Sequence, residues 1–222
     1  SAASDVYKRQ MYVLEENNHL ILIDPCIIDI RLENKTVDYI FLTHEHYDHI
    51  SGVNYWKEKC EAEVVCSNIC AENIESSRKN LSRYFDAFCE LQTWVTVEEP
   101  VVNIDYSCQA DRSFEDHLTL EWQGNKICLF ECPGHSLGSI CILVNNEILF
   151  SGDSLFRDYP TTTGLPGGSK KKWQEKSLPL LKSLPEDVFV YPGHFNGFYI
   201  KDYQLWDCLL YTSPSPRDVE ES

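Results

Sequence analysis

No stretch of this 222-residue chain stays apolar for the roughly 18 residues that a membrane helix needs, so no span is expected. Basic residues are scarce: 19 Lys and Arg stand against 35 Asp and Glu, for a net charge of −16. A field of that sign repels phosphate backbones, and the one basic run, Lys170-Lys171-Lys172, is short. Nucleic acid is therefore not an expected partner. The ten cysteines contain no C-x-x-C pair, and no apolar core near Ser1 makes a signal peptide. Scattered free thiols in a cytoplasmic protein are the reading that follows. Internal repeats and low-complexity stretches are absent as well.

What is present suffices for one domain with a sizeable core, at 43% apolar residues. Tyr12-Val13-Leu14 and residues 20–23 read as short strands joined by the turn composition Glu15-Glu16-Asn17-Asn18. Tyr39-Ile40-Phe41-Leu42 reads as a buried strand, Val53, Trp56 and Lys57 lie at helical spacing, and Glu63-Val64-Val65-Cys66 returns as a strand, making a βαβ unit. From Asn68, a candidate N-cap, to Phe88 the apolar residues Ile74, Leu81, Tyr84, Phe85 and Phe88 keep a helical period and predict core. Residues 118–122 and 126–130 flank Gln123-Gly124-Asn125 as one hairpin; residues 139–144 and 147–150 flank Asn145-Asn146 as another. Residues 188–191 are the last clear strand.

The chemistry concentrates in Thr43-His44-Glu45-His46-Tyr47-Asp48-His49-Ile50-Ser51-Gly52, where the buried strand stops. Three imidazoles and the Asp48 carboxylate fall within six residues. Alternate residues of an extended segment share a side, so His44, His46 and Asp48 can converge, and His49 follows as the chain turns. Imidazole nitrogen and carboxylate oxygen are ligands that Zn(II) accepts, and a strand end holds them stiffly.

H-x-H-x-D-H after an apolar strand resembles the signature of the metallo-β-lactamase superfamily. Pro133-Gly134-His135-Ser136-Leu137-Gly138-Ser139, Ser151-Gly152-Asp153-Ser154-Leu155-Phe156 and Tyr191-Pro192-Gly193-His194 follow in that family's order. Each alone would be a plain turn or cap; their order and spacing carry the signal. The set looks most like the glyoxalase II branch, whose hydrolases cleave thioesters. The resemblance implies an α/β fold, a four-layer αββα sandwich with its ligands along one edge. It also implies that His44, His46 and His135 hold one metal, that Asp48, His49 and His194 hold a second, and that Asp153 bridges them. His19 and His117 are left over as ordinary surface or turn residues.

Five histidines and two aspartates exceed what one tetrahedral zinc needs, so two Zn(II) ions are expected, with iron or manganese as alternatives. A metal-bridging hydroxide would attack the acyl carbon of a small-molecule substrate, with Asp48 orienting the nucleophile and Asp153 tying the centres together. A thiolate, with a pKa of roughly 8.5, leaves without a general acid, which favours a thioester over a lactam. The alternatives are a lactone or other ester hydrolase on the same site, or a diiron redox domain of the flavodiiron type. Flavodiiron proteins carry Glu where His46 stands. Departures from the family pattern include Ser136 and Ser154 for Thr, Phe195 for Gly after the last His, and the segment 157–164, expected near the substrate. The glutathione-binding helical domain of longer relatives has no counterpart, so glutathione specificity is unsupported.

The ends read differently. Asp5-Val6-Tyr7-Lys8-Arg9-Gln10 resembles translated sequencing-adapter DNA, 208–213 resembles the same DNA read from the opposite strand, and 214–218 continues as the adjoining adapter would. Residues 1–10 and 208–222 are accordingly expected to be non-native, with 11–207 as the hydrolase domain. Relatives begin with a further strand before the one matching Tyr12-Val13-Leu14; its loss is expected to leave an open sheet edge.

Overall fold

A computed structural model describes residues 2–4, 10–28, 30–87 and 102–206. Residues 208–222 lie outside that range, as do Phe88 and the end of the expected helix. One sheet runs β1 (Ala2–Ser4), β2 (Gln10–Glu16), β3 (His19–Ile23), β4 (Thr36–Phe41), β5 (Glu63–Ser67) and β6 (Arg112–Phe114) in that spatial order. The first three pair antiparallel, and β3 to β6 pair parallel. The second sheet contains β7 (His117–Trp122), β8 (Asn125–Glu131), β9 (Ile140–Val144), β10 (Ile148–Gly152), β11 (Phe189–Pro192) and β12 (Phe198–Tyr199), also in order. Only the β10–β11 pairing is parallel there.

Hairpin turns follow from residues that accept a left-handed backbone. Asn17 and Asn18 sit at φ 52° and 63°, Asn145 and Asn146 at 54° and 57°, and Gln123 and Gly124 at 49° and 81°. Positive φ at both central residues is what a two-residue turn of matching twist requires. The first turn is therefore tighter than expected, because Glu15 and Glu16 continue β2.

Strict alternation sorts the apolar side chains into layers. Leu20, Leu22, Ile40, Leu42, Val64 and Cys66 face outward under α1 (Tyr47–Ile50), α2 (Val53–Lys59) and α3 (Asn68–Ile74). Their neighbours Ile21, Ile23, Phe41 and Val65 face inward and meet Ile127, Leu129, Ile140 and Ile142 of the second sheet. Cys141, Leu143, Leu149 and Val190 point away again, under a helical run of α4 (Lys170–Lys172), a π-helical turn (Trp173–Ser177) and α5 (Leu178–Lys182). Period-2 patterning on strands buried on both faces produces helix, sheet, sheet, helix. This is the four-layer sandwich.

One local expectation changes. The helix from Asn68 ends at Ile74, and its N-cap is Ser67, whose hydroxyl accepts from the Cys70 amide. The Ser76-Ser77 pair is poor helix material, and Leu81 at φ 66° turns the chain into a 3₁₀ turn at Ser82–Tyr84. At the other edge, β1 pairs antiparallel with Gln10 to Tyr12.

Candidate metal centre

All four ligand-bearing segments begin where a strand ends, on one edge of the sandwich: after β4, β8, β10 and β11. Backbone bonds hold these turns together: across the sheets the Ile140 amide donates to the Thr43 carbonyl at 2.7 Å, and within the second sheet the Gly193 amide donates to the Gly152 carbonyl at 2.8 Å. Gly152 lies at φ 49°, and a Cβ there would come within 2.4 Å of Thr43 Oγ1. A Cβ on Gly193 would meet Asp153 Oδ1 at 2.4 Å and His49 Cε1 at 2.6 Å. Both glycines let the turns close to the distance at which their ligands can share a centre.

The seven predicted ligands lie together and buried. His135 Nε2 is 3.0 Å from His46 Nδ1, although 89 residues separate them in sequence. The His44 ring lies 4.6, 4.9 and 4.1 Å, centre to centre, from those of His46, His135 and His49. Asp48 Oδ2 stands 3.3 Å from His194 Nε2 and 3.6 Å from His49 Nε2. Asp153 reaches both groups, with Oδ1 3.4 Å from His49 Nε2 and Oδ2 3.6 Å from both His135 Nε2 and His194 Nε2. His44, His46 and His135 form one trio of donor atoms, Asp48, His49 and His194 another, and His44, His49 and Asp153 a third that connects them. His19 pairs with Asp38 at 2.9 Å and His117 is exposed at the start of β7, both outside the cluster.

Tautomers follow from the partners. Thr43 Oγ1 donates its single proton to Asp24 Oδ2 at 2.6 Å, so it accepts from His44 Nδ1 at 3.1 Å. His49 Nδ1 donates to Asp24 Oδ2 at 2.7 Å, and His135 Nδ1 donates to the Thr162 carbonyl at 2.9 Å. In the neutral His44 and His135 rings, and in His49 once a cation replaces its second proton, the proton sits on Nδ1 and the lone pair on Nε2, facing the cluster. His44 Nε2, His49 Nε2 and Asp153 Oδ1 are buried there without a hydrogen-bond partner. Orphaned lone pairs of this kind are costly unless a cation takes them. Two nitrogens on one tetrahedral zinc lie about 3.4 Å apart, close to the 3.0 to 3.6 Å separations here. The donors fit a divalent metal.

Charge points the same way. Burial, with the neighbouring imidazoles, keeps His44 well below its usual pKa; burial outweighs the nearby carboxylates and lowers His46 and His135 to about 4. These rings are neutral and ready as ligands. Burial opposes ionisation of Asp48, but His49 and His194 hold it below the carboxylate range; His194 and His49 do the same for Asp153. Against burial, Asp48, Asp153 and Asp24 hold His49 well above 6.5, and Asp153 and Asp48 raise His194. A site that draws protons onto these two rings attracts positive charge.

Several supporting residues escape motif reading. Asp24 takes the Thr43 amide at 2.7 Å besides its bonds to Thr43 Oγ1 and His49; its only sequence signal is Asp-Pro after a buried run. Glu45 points away from the cluster and accepts from Ser136 Oγ at 2.7 Å and Asn73 Nδ2 at 2.9 Å, tying the first ligand loop to the His135 loop and α3. Ser136 thus shapes its turn. The segment 157–168 rests against His135 through the Thr162 carbonyl and through Gly167, whose carbonyl accepts from the Leu137 amide at 2.8 Å.

Comparison with known proteins matches the family described as the metallo-beta-lactamase superfamily over residues 5–194. The chain is 27% identical over 220 residues to the hydroxyacylglutathione hydrolase of Prochlorococcus marinus strain MIT 9312, covering 95% of this chain and 72% of that one. Among solved structures it is similar to the B3 metallo-beta-lactamase BLEG-1, with a TM-score of 0.73 at 24% identity over 90% of this chain and 93% of that one. It is also similar to a di-iron-bound form of TTHA1623, with a TM-score of 0.71 at 24% identity over 90% and 95%. At such identities the structural likeness speaks for the fold.

Proposed function

The chain belongs to the metallo-beta-lactamase superfamily, and on that premise we propose that it is a binuclear zinc hydrolase of thioesters. The observation that carries this reading is the pair of donor trios joined through Asp153, with lone pairs aimed at a common centre. His44, His46 and His135 would hold one ion, Asp48, His49 and His194 the other, with Asp153 between. When bound, such metals acidify water towards neutrality and polarise an acyl carbonyl. The donor set of nitrogen and oxygen without thiolate suits zinc and also admits iron or manganese.

The chain's own residues do the rest. Asp24 fixes the ring of His49, and the Thr162 carbonyl fixes that of His135, so neither needs to reorganise during turnover. Asp48, held as an anion beside His194, would accept a hydrogen bond from the attacking oxygen and orient it towards the acyl carbon. Asp48 and Asp153 are both held ionised, so neither is a proton donor for an amine leaving group. A thiolate needs no such donor. That asymmetry, together with the hydroxyacylglutathione hydrolase relative, supports thioester over amide. The eight free thiols among the described residues support a cytoplasmic setting, and no described helix is long and apolar enough to cross a membrane.

Metal quantitation on purified protein, run beside a thioester and lactone screen, tests the reading. About two metal ions per chain and preferential thioester turnover are expected. Turnover confined to lactones moves the reading to ester hydrolysis. Asp153→Ala is expected to lower metal content and cut hydrolysis by orders of magnitude, while His117→Ala does neither; equal loss in both overturns the ligand assignment.

A further inference from the structure

Immediately after His194 the chain places Phe195 at φ 68°. Left-handed backbone is disfavoured for a residue with a Cβ, more so for a bulky one, and glycine or asparagine would relieve it. The ring is also 46% exposed, so burial does not offset the strain. It does not stand alone. Tyr159, 53% exposed and carried by the segment between Asp153 and α4, lies 4.9 Å from it, centre to centre, at 33°. Phe156 is buried beneath and meets it edge-on at 5.5 Å and 83°. The His194 ring is 6.2 Å from Phe195 and 6.4 Å from Phe156. Three aromatic rings from two separate segments thus form a wall with a buried base and two open faces, directly beside one ligand of the metal centre. A strained, exposed aromatic in that place is a functional expense rather than a packing choice.

We infer that Phe156, Tyr159 and Phe195 form a specificity subsite that receives a flat apolar group of the substrate, such as a phenyl ring next to the scissile acyl bond. The inference rests on the hydrolase reading and narrows it to a substrate class. The ring pair leaves offset and edge positions for a third ring, the arrangements aromatic groups prefer.

Two substrate series locate the group. One compares phenylacetyl with acetyl esters of a common thiol; the other compares acetyl esters of benzyl and ethyl thiol. In at least one series the protein is expected to prefer the aromatic member in kcat/KM by about tenfold. Phe195→Gly is expected to bring that ratio close to one, and Phe195→Tyr to keep it. In parallel, saturation-transfer NMR with the matching benzyl and ethyl thioethers, which cannot be hydrolysed, reads binding without turnover. Ring-selective binding that Phe195→Gly abolishes supports the subsite even if no thioester is turned over, in which case the hydrolase reading alone fails. Thioester turnover with no aromatic preference in either series overturns the subsite and leaves the hydrolase standing. A Phe195→Gly variant that keeps the aromatic ratio of the parent protein overturns the subsite too.

Discussion

Asp24 is a positioning residue whose loss should reach the metal centre through His49. Its carboxylate is buried and gathers the Thr43 amide, the Thr43 hydroxyl and His49 Nδ1, all within 2.7 Å. An asparagine there keeps the size but loses the charge and one acceptor oxygen, leaving either Thr43 or His49 facing an amide donor. Asp24→Asn is therefore expected to weaken metal binding by about 10- to 100-fold, the usual cost of removing the partner of a ligating imidazole. Competition against a chromogenic chelator measures it. Unchanged affinity would mean that His49 is oriented by the Gly193 turn alone. The seven candidate ligands were visible from H-x-H-x-D-H and the later motifs, whereas Asp24 had only an Asp-Pro step to mark it.

Elements here owe their stability to what they cover. Helix α2 has no side-chain cap, and its seven residues are too few to persist on propensity alone. Trp56 on its inner face is fully buried, and its indole Nε1 donates to the Cys26 carbonyl at 2.8 Å. It thereby supports the turn that carries Asp24. Trp56→Ala is expected to destabilise the fold by about 3–5 kcal/mol, read from a urea midpoint; a cost under about 1 kcal/mol would show that the layer collapses around the gap. Strands and hairpins were legible because a period of two and a pair of asparagines are local signals. The run from Asn68 keeps helical spacing in sequence through Ser76-Ser77, but there the backbone leaves the helix and Asn80 donates to the Ile74 and Tyr106 carbonyls.

At the level of the whole molecule, the buried cluster links stability to acidity. With the metals stripped, the folded chain keeps His46 and His135 neutral down to about pH 4 and His44 further still, while unfolded histidine takes up a proton near 6.5. The unfolded state therefore binds more protons between pH 6.5 and 4, and stability falls as pH drops through that window. Asp48 and Asp153, held below the carboxylate range, extend the fall below their ordinary value of 3.8. His49 and His194 are raised, so their contribution is fully present below 6.5 and adds no opposing slope there. Melting of the metal-free protein is expected at a clearly lower temperature at pH 4.5 than at pH 6.5. A flat profile would mean that the imidazoles are solvated, and that the cluster is looser than described.

Sequence alone determined the layers and singled out the candidate ligands. Alternating apolar residues on strands, asparagine and glycine at the hairpin tips, and metal-binding side chains at strand ends are all patterns that act over a few residues, so they can be read without knowing the neighbours. Tertiary structure alone decided which second partner holds each ring, since Thr162 offers a backbone carbonyl with no side-chain signature and Asp24 acts across 25 residues. It also decided that Phe195 would be held at positive φ against Tyr159, 36 residues earlier in the chain. Contacts of that kind depend on loops meeting at one edge of the sandwich, and the geometry of their meeting is set by the packing of the two sheets beneath them.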